Sequence, residues 1–183
     1  MYRDILRRVN FAIFLTIALL AAVLQSTIFG YFPLNYVQPD LLLIMAVYAG
    51  FRRNIIEGGA FVMIAAIMQE AHSSTGEHFY LTVYLYTFLI AKVLSRTVVV
   101  PDFFSSIGIV TALTILKRVG ILMLIGTYGH AENGVKHFFI YLIPGLLVQA
   151  LLTPLCFSWF SKLDLRTYKD EHAEDEYDIN KGF

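Results

Sequence analysis

The chain has 183 residues, 57% of them hydrophobic and 15% charged, where ordinary soluble domains run at roughly 45–50% and about 25%. A soluble fold would have nowhere to bury that excess, and six membrane spans of about 20 residues would use roughly 120 positions, leaving short loops, one tail and no separate catalytic domain. The formal net charge is zero, but the bases cluster at the ends of apolar runs and six of the fourteen acids lie between Asp170 and Asp178, a balance that argues against a nucleic-acid partner.

Val9 to Phe29 forms the first apolar run, preceded by Arg3, Arg7 and Arg8 and interrupted by Asn10, Thr16, Gln25, Ser26 and Thr27. Bases ahead of an apolar stretch also describe a secretory signal peptide, but this run is longer than a signal core. A Pro-containing stretch without Lys or Arg follows, and then the short run Leu41 to Phe51. Its start is marked by Pro39 and by Asp40, residue types preferred at helix beginnings, and its end by Arg52 and Arg53. Further runs cover Ile55–Met68, Phe79–Ala91, Phe103–Tyr128 and Val135–Phe160, the last expected to kink at Pro144 and Pro154.

The expected fold is therefore an all-α, polytopic bundle of six transmembrane helices over residues 1–162, with spans near 9–29, 39–51, 55–69, 79–94, 103–128 and 135–160. Residues 163–183 read as an acidic, disordered cytoplasmic tail. Lys and Arg concentrate in short cytoplasmic loops. With six spans and both termini inside, eleven of the fourteen bases lie inside, only Lys136 lies outside, and Lys117 and Arg118 fall within the fifth span. The short second run must cross for this to hold. Tyr31, Phe32, Tyr36, Phe103, Phe104, Trp159 and Phe160 stand near the proposed boundaries, as an aromatic belt does.

Lys117 and Arg118 lie about 22 Å of helix rise beyond Asp102, where a charge normally faces protein or a water-filled cavity. Their neighbouring positions point about 100° apart. Glu70, at the outer end of the third run, is the acid expected to pair with one of them; Asp40 and Gln25 complete the candidate intramembrane polar or partner-binding residues. His72, His78, His130 and His137 come from two loops with no ligand spacing, so no metal site is expected. Ser73 and Ser74 lack a nucleophile motif, and neither a catalytic residue nor a cofactor is expected. Gly58 and Gly59 read as close-packing positions between helices, and Cys156, the single cysteine, as a small apolar residue.

The order of these features resembles the MreD family of rod-shape-determining membrane proteins. The matching elements are Leu24-Gln25-Ser26-Thr27 at the outer end of the first span, Pro39-Asp40 opening a short Leu-rich second helix, and Arg52-Arg53 closing it. A glycine-bearing third helix ending at Glu70, a Ser/Gly loop (Ser73 to Gly76) and a Tyr-rich fourth helix follow. The pattern covers about residues 20–100, and the remainder agrees by span count. Family members commonly carry aspartate where Glu70 stands, and the Lys117-Arg118 pair is not a family feature.

The resemblance implies a multi-pass protein of the bacterial cytoplasmic (inner) membrane that acts as a non-enzymatic scaffold of the cell-elongation machinery and maintains rod shape. It would work with an MreC-like bitopic membrane protein and, directly or indirectly, with MreB-like filaments and enzymes of peptidoglycan synthesis. The size and helix count also resemble the substrate-binding subunits of energy-coupling-factor vitamin transporters, whose fold is comparable. That alternative implies an outer ligand pocket near Glu70, His72, Lys117 and Arg118, and a small-residue face on the first helix, here Ala18 and Ala22, for a coupling subunit.

Overall fold

A computed structural model describes residues 2–28, 38–72, 79–97, 103–127 and 131–167, with side chains at 6–28, 38–72, 79–97, 104–120 and 142–167. Among the described residues there are six helices: α1 Tyr2–Thr27, α2 Leu41–Arg52, α3 Ile55–Ala71, α4 Phe79–Leu94, α5 Phe103–Thr127 and α6 Ala131–Thr167. There is no strand among the described residues. The six apolar runs are thus six helices. Their ends differ most in α6, which runs on through Thr167, so that residues 163–167, expected in the tail, are helical. The reason is periodic: Gly145, Gln149, Thr153 and Phe160 form the buried face of α6, and Asp164 extends it by one more turn.

The short α2 is the centre of the molecule. Asp40 caps it, its carboxylate accepting the Leu43 N–H at 2.9 Å, which satisfies one of the otherwise orphaned donors of the first turn. At the other end the Arg53 N–H returns to the Ala49 carbonyl, and after Asn54 the chain re-enters a helix at Ile55. Every residue from Leu42 to Gly50 is buried. The other five helices enclose α2 in the order α1, α3, α4, α5, α6 and back to α1, and each of them touches it. The α5–α6 hairpin packs closely along its own length, whereas α4 meets α5 sparsely.

Two glycines let α2 and α3 approach α4 closely. A Cβ at Gly50 would lie 2.7 Å from Ala91 Cβ on α4, and one at Gly58 would lie 2.7 Å from the Phe88 ring. Gly59 has ordinary space, 3.7 Å from that ring, so only the first of the two expected close-packing glycines is one. Around α2 the core is aromatic: Phe14 stacks on Tyr48 at 6.0 Å and packs edge-on to Phe61, while Phe160 lies 5.3 Å from Tyr48.

Among the described residues, many large apolar side chains face outward. Ile143, Leu147, Leu151, Leu155 and Trp159 form an exposed row along α6, and Ile56 and Phe104 are 79% and 82% exposed. Among the described residues, the helical stretches Leu6–Thr27 and Leu142–Thr167 are long and apolar enough to cross a membrane. Only a third or less of each such window is buried inside the molecule. Leu41–Arg52 and Phe79–Leu94 are apolar but shorter.

Candidate functional site

Both ends of α2 are closed by charged clusters assembled from several helices. At its first end, Asp40 Oδ1 accepts the Tyr84 hydroxyl at 2.9 Å in addition to the Leu43 N–H, and Asp40 Oδ2 is paired with the Lys117 ammonium of α5. Lys117 also reaches the Tyr84 hydroxyl at 3.4 Å, and its Nζ lies 4.7 Å and 5.5 Å from the ring centroids of Tyr84 and Tyr80. Such an ammonium gains from both the carboxylate and the ring faces once water is excluded. Gln149 of α6 grips the Asp40 backbone at two points, accepting its N–H at 2.7 Å and donating to its carbonyl at 3.0 Å. Gln25 of α1 donates to the Pro39 carbonyl at 2.8 Å. Four helices thus converge on the cap of a fifth.

At the second end a cation occupies the centre. Arg53, 6% exposed, donates from Nη2 to Asp164 Oδ1 at 2.6 Å and to Asn10 Oδ1, and from Nη1 to Glu57 Oε1 at 3.4 Å. Its guanidinium covers the Phe14 ring at 4.7 Å. Asp164 is saturated from three sides, since Asn10 Nδ2 donates to Oδ1 at 3.0 Å and the Tyr48 hydroxyl donates to Oδ2 at 2.6 Å. Asn10 Nδ2 also meets Thr167 Oγ1. Glu57 takes two bonds from Arg7 of α1, the shorter at 2.7 Å. Lys92 of α4 donates to the Arg53 carbonyl at 2.6 Å. A cavity of about 10 Å³ beside Arg53 and Glu57 is no larger than one water needs.

The candidate residues are placed as follows. Asp40, Lys117 and Gln25 come together at the first end of α2. Glu70 is not the partner of Lys117: it accepts the Tyr80 backbone N–H at 3.1 Å, and the acid on Lys117 is Asp40. Glu70 lies at the far end of α3, so similar depth did not make it a neighbour, whereas the cap position aims Asp40 between α4 and α5. Arg118 diverges from Lys117, as adjacent helical positions must. Its guanidinium lies against Gly145 of α6, where a Cβ would overlap it.

His72 Nδ1 hydrogen-bonds the Met68 carbonyl, and among the described residues no three His, Cys, Asp or Glu side chains gather as metal ligands would. Ser73, Ser74 and His78 with their loop, His130, and the side chain of His137 lie outside the described residues. Ala18 and Ala22 are fully buried within the chain, so they form no outward face. The Arg53 cluster was not anticipated. Asn10 was visible as a polar break in an apolar run, and the period of α6 carried through Gln149 and Phe160 would have reached Asp164.

Comparisons with models of known families, with curated proteins and with solved structures return no match for this chain.

Proposed function

We propose that the chain is a multi-pass protein of a bacterial cytoplasmic membrane, with six spans and both termini inside, and that it serves as a non-enzymatic scaffold of the cell-elongation machinery. The membrane reading draws on the surface and on α2 together. Twelve residues rise only about 18 Å, against a hydrocarbon thickness of about 30 Å, so the ends of α2 would sit at membrane depth. Non-helical backbone is tolerated there only when it is buried in protein with its polar groups satisfied; the bonds to the backbone of Pro39, Asp40 and Arg53 supply part of that satisfaction, while Gln38 and Asn54 are exposed. The apolar side chains left outside, such as the α6 row, suit lipid as their solvent.

Orientation follows from charge. Arg7, Arg8, Arg52, Arg53, Lys92, Arg96, Lys162 and Arg166 belong to the Arg53 end of the bundle by chain position, and that bias favours the cytoplasmic side. A reporter fused after Phe183 is expected to be active only in the cytoplasm.

The observation that favours a scaffold over a solute-binding subunit is the use made of the polar residues at the first end. Asp40, Lys117, Tyr84, Gln149 and the amide nitrogen of Gln25 are bonded to one another or to the backbone of Pro39 and Asp40 that leads into α2, which fixes helices and leaves Gln25 Oε1 as the one buried side-chain acceptor without a partner among these residues. The buried Ala18 and Ala22 likewise leave no small-residue face for a coupling subunit. The scaffold reading follows the resemblance to MreD proteins, with an MreC-like bitopic protein as membrane partner and MreB-like filaments and wall-synthesis enzymes beyond it. The test is depletion in a rod-shaped host combined with pull-down from its membranes. Rounding of cells and recovery of a bitopic coiled-coil protein are expected. Strong thermal stabilisation by a small solute such as a vitamin, with cell shape unchanged, would overturn the reading.

A further inference from the structure

The α5–α6 hairpin is held to the other helices by different means toward its two ends. Toward the Arg53 end it is anchored by rings and ions: Phe157 lies edge-on to Tyr48 at 5.3 Å, Phe160 packs 5.5 Å from Phe14, and Asp164 bonds Arg53, Tyr48 and Asn10. Toward the Asp40 end, residues 109–120 and 142–153 include no aromatic residue. The grip there is polar, through Lys117 on the Asp40 carboxylate and the Tyr84 hydroxyl and through Gln149 on the Asp40 backbone. α4, the next helix round from α5, meets it only sparsely. Between the two halves both helices have a weak point. Pro154 interrupts α6 and offers no N–H to the Ala150 carbonyl. Gly108 interrupts α5 in open space, since nothing lies within 4 Å of a Cβ built there. Arg118 of α5 lies against Gly145 of α6, and in this antiparallel pair the nine residues from Gly145 to Pro154 lead back along α5 to about the level of Gly108.

We infer that the part of the hairpin on the Asp40 side is a hinged arm, which pivots at Gly108 and Pro154 and is latched shut on α2 by Lys117 and Gln149. Two buried polar atoms on that side have no partner, Thr111 Oγ1 on the arm itself and Gln25 Oε1 beside Pro39. Each gains if water reaches it, so opening recovers part of what the broken latch loses. The movement parts α5 from α4 and uncovers Asp40, Tyr84 and Lys117, while the Arg53 cluster stays intact. Its scale follows from the length of the arm. Ile143 lies eleven residues before Pro154, which is about 16 Å of helix rise, so a change of about 20° in the kink moves it by about 6 Å. This inference goes beyond the scaffold reading and does not depend on it.

The test uses the full chain with Cys156→Ala, spin-labelled at two pairs of exposed positions. Ile67→Cys with Ile143→Cys spans the Asp40 end, and Ile56→Cys with Lys162→Cys spans the Arg53 end. Each protein is placed in phosphatidylcholine nanodiscs, where co-migration reports insertion separately, and the distance within each pair is measured by pulsed electron paramagnetic resonance. With the native latch, one population is expected for each pair. Lys117→Met together with Gln149→Leu should add a second population at the Asp40 end, longer by about 6 Å, and leave the Arg53 end unchanged. Adding Gly108→Ala, for whose methyl group there is room, and Pro154→Ala should then reduce that population at least about threefold, because both changes stiffen the helices at the pivot. If the double latch variant fails to insert, Gln149→Leu alone carries the same expectations. A single unchanged distance at the Asp40 end would overturn the inference. So would equal lengthening at both ends, or a longer population that the two alanines leave untouched.

Discussion

The two ends of α2 solve the same physical problem with opposite charges and different redundancy. At the first end one carboxylate, Asp40, serves as helix cap, ion-pair partner of Lys117 and acceptor for Tyr84. At the second end the charge of Arg53 is shared between Asp164 and Glu57, Asn10 adds a further acceptor, and Arg7 helps to hold Glu57. The first end therefore concentrates three duties in one side chain, while the second distributes them over α1, α3 and α6. Loss of a single group should be felt more sharply at the first.

The largest effect is expected from Asp40→Ala, which removes the cap and leaves Lys117 buried without its carboxylate. Stranding one member of a buried pair costs about 3–5 kcal/mol, and a lost cap adds about 1 kcal/mol. Denaturant unfolding in mild detergent should show a loss of this order or no folded protein, and Asp40→Asn, which keeps a capping oxygen, should lose less. The double variant Asp40→Asn/Lys117→Met should recover part of the deficit, giving a coupling of at least about 1 kcal/mol in a double-mutant cycle. Strict additivity would break the assignment of the pair.

Asp164→Ala is expected to cost less, about 2–3 kcal/mol, because Arg53 keeps Glu57 and Asn10 as acceptors and only part of the stranding penalty falls due. If it proved as damaging as Asp40→Ala, the idea of a shared load would fail. Gly50→Ala would bring a methyl group within 2.7 Å of Ala91 Cβ, an overpacking of about 1–3 kcal/mol, whereas Gly59→Ala should fall within about 0.5 kcal/mol of the parent. Tyr48→Phe deletes one hydroxyl bond to Asp164 and should lower stability by about 1–2 kcal/mol. The smallest change is expected for Glu70→Gln, which can still accept the Tyr80 N–H, and a thermal melt should barely move. A large loss there would revive a role for Glu70 as a buried counter-ion.

Much of the fold was legible because it is local. Apolar runs of helical length, Pro39 and Asp40 ahead of Leu41, and the Arg52-Arg53 stop located the second helix within a residue or two. That Asp40, Lys117 and Gln25 would need protein partners was also legible, since polar groups in apolar runs require a reason. The partner of Lys117 was not. Depth along a helix could be estimated by counting residues, and it pointed to Glu70. Contact depends in addition on which face each helix turns to which neighbour.

The sequence by itself determined a helical, membrane-compatible composition, six apolar segments and the cap of α2, because propensity, periodicity and capping act over a few residues. Only the tertiary structure decided that α2 lies at the centre, that Lys117 belongs to Asp40, and that Asp164 closes the Arg53 cluster instead of starting a tail. Those outcomes depend on the order and rotation of helices around a common axis. That arrangement is set by close approaches such as Gly50 to Ala91 and by the requirement that buried charges meet their partners, and neither is encoded at any one position of the chain.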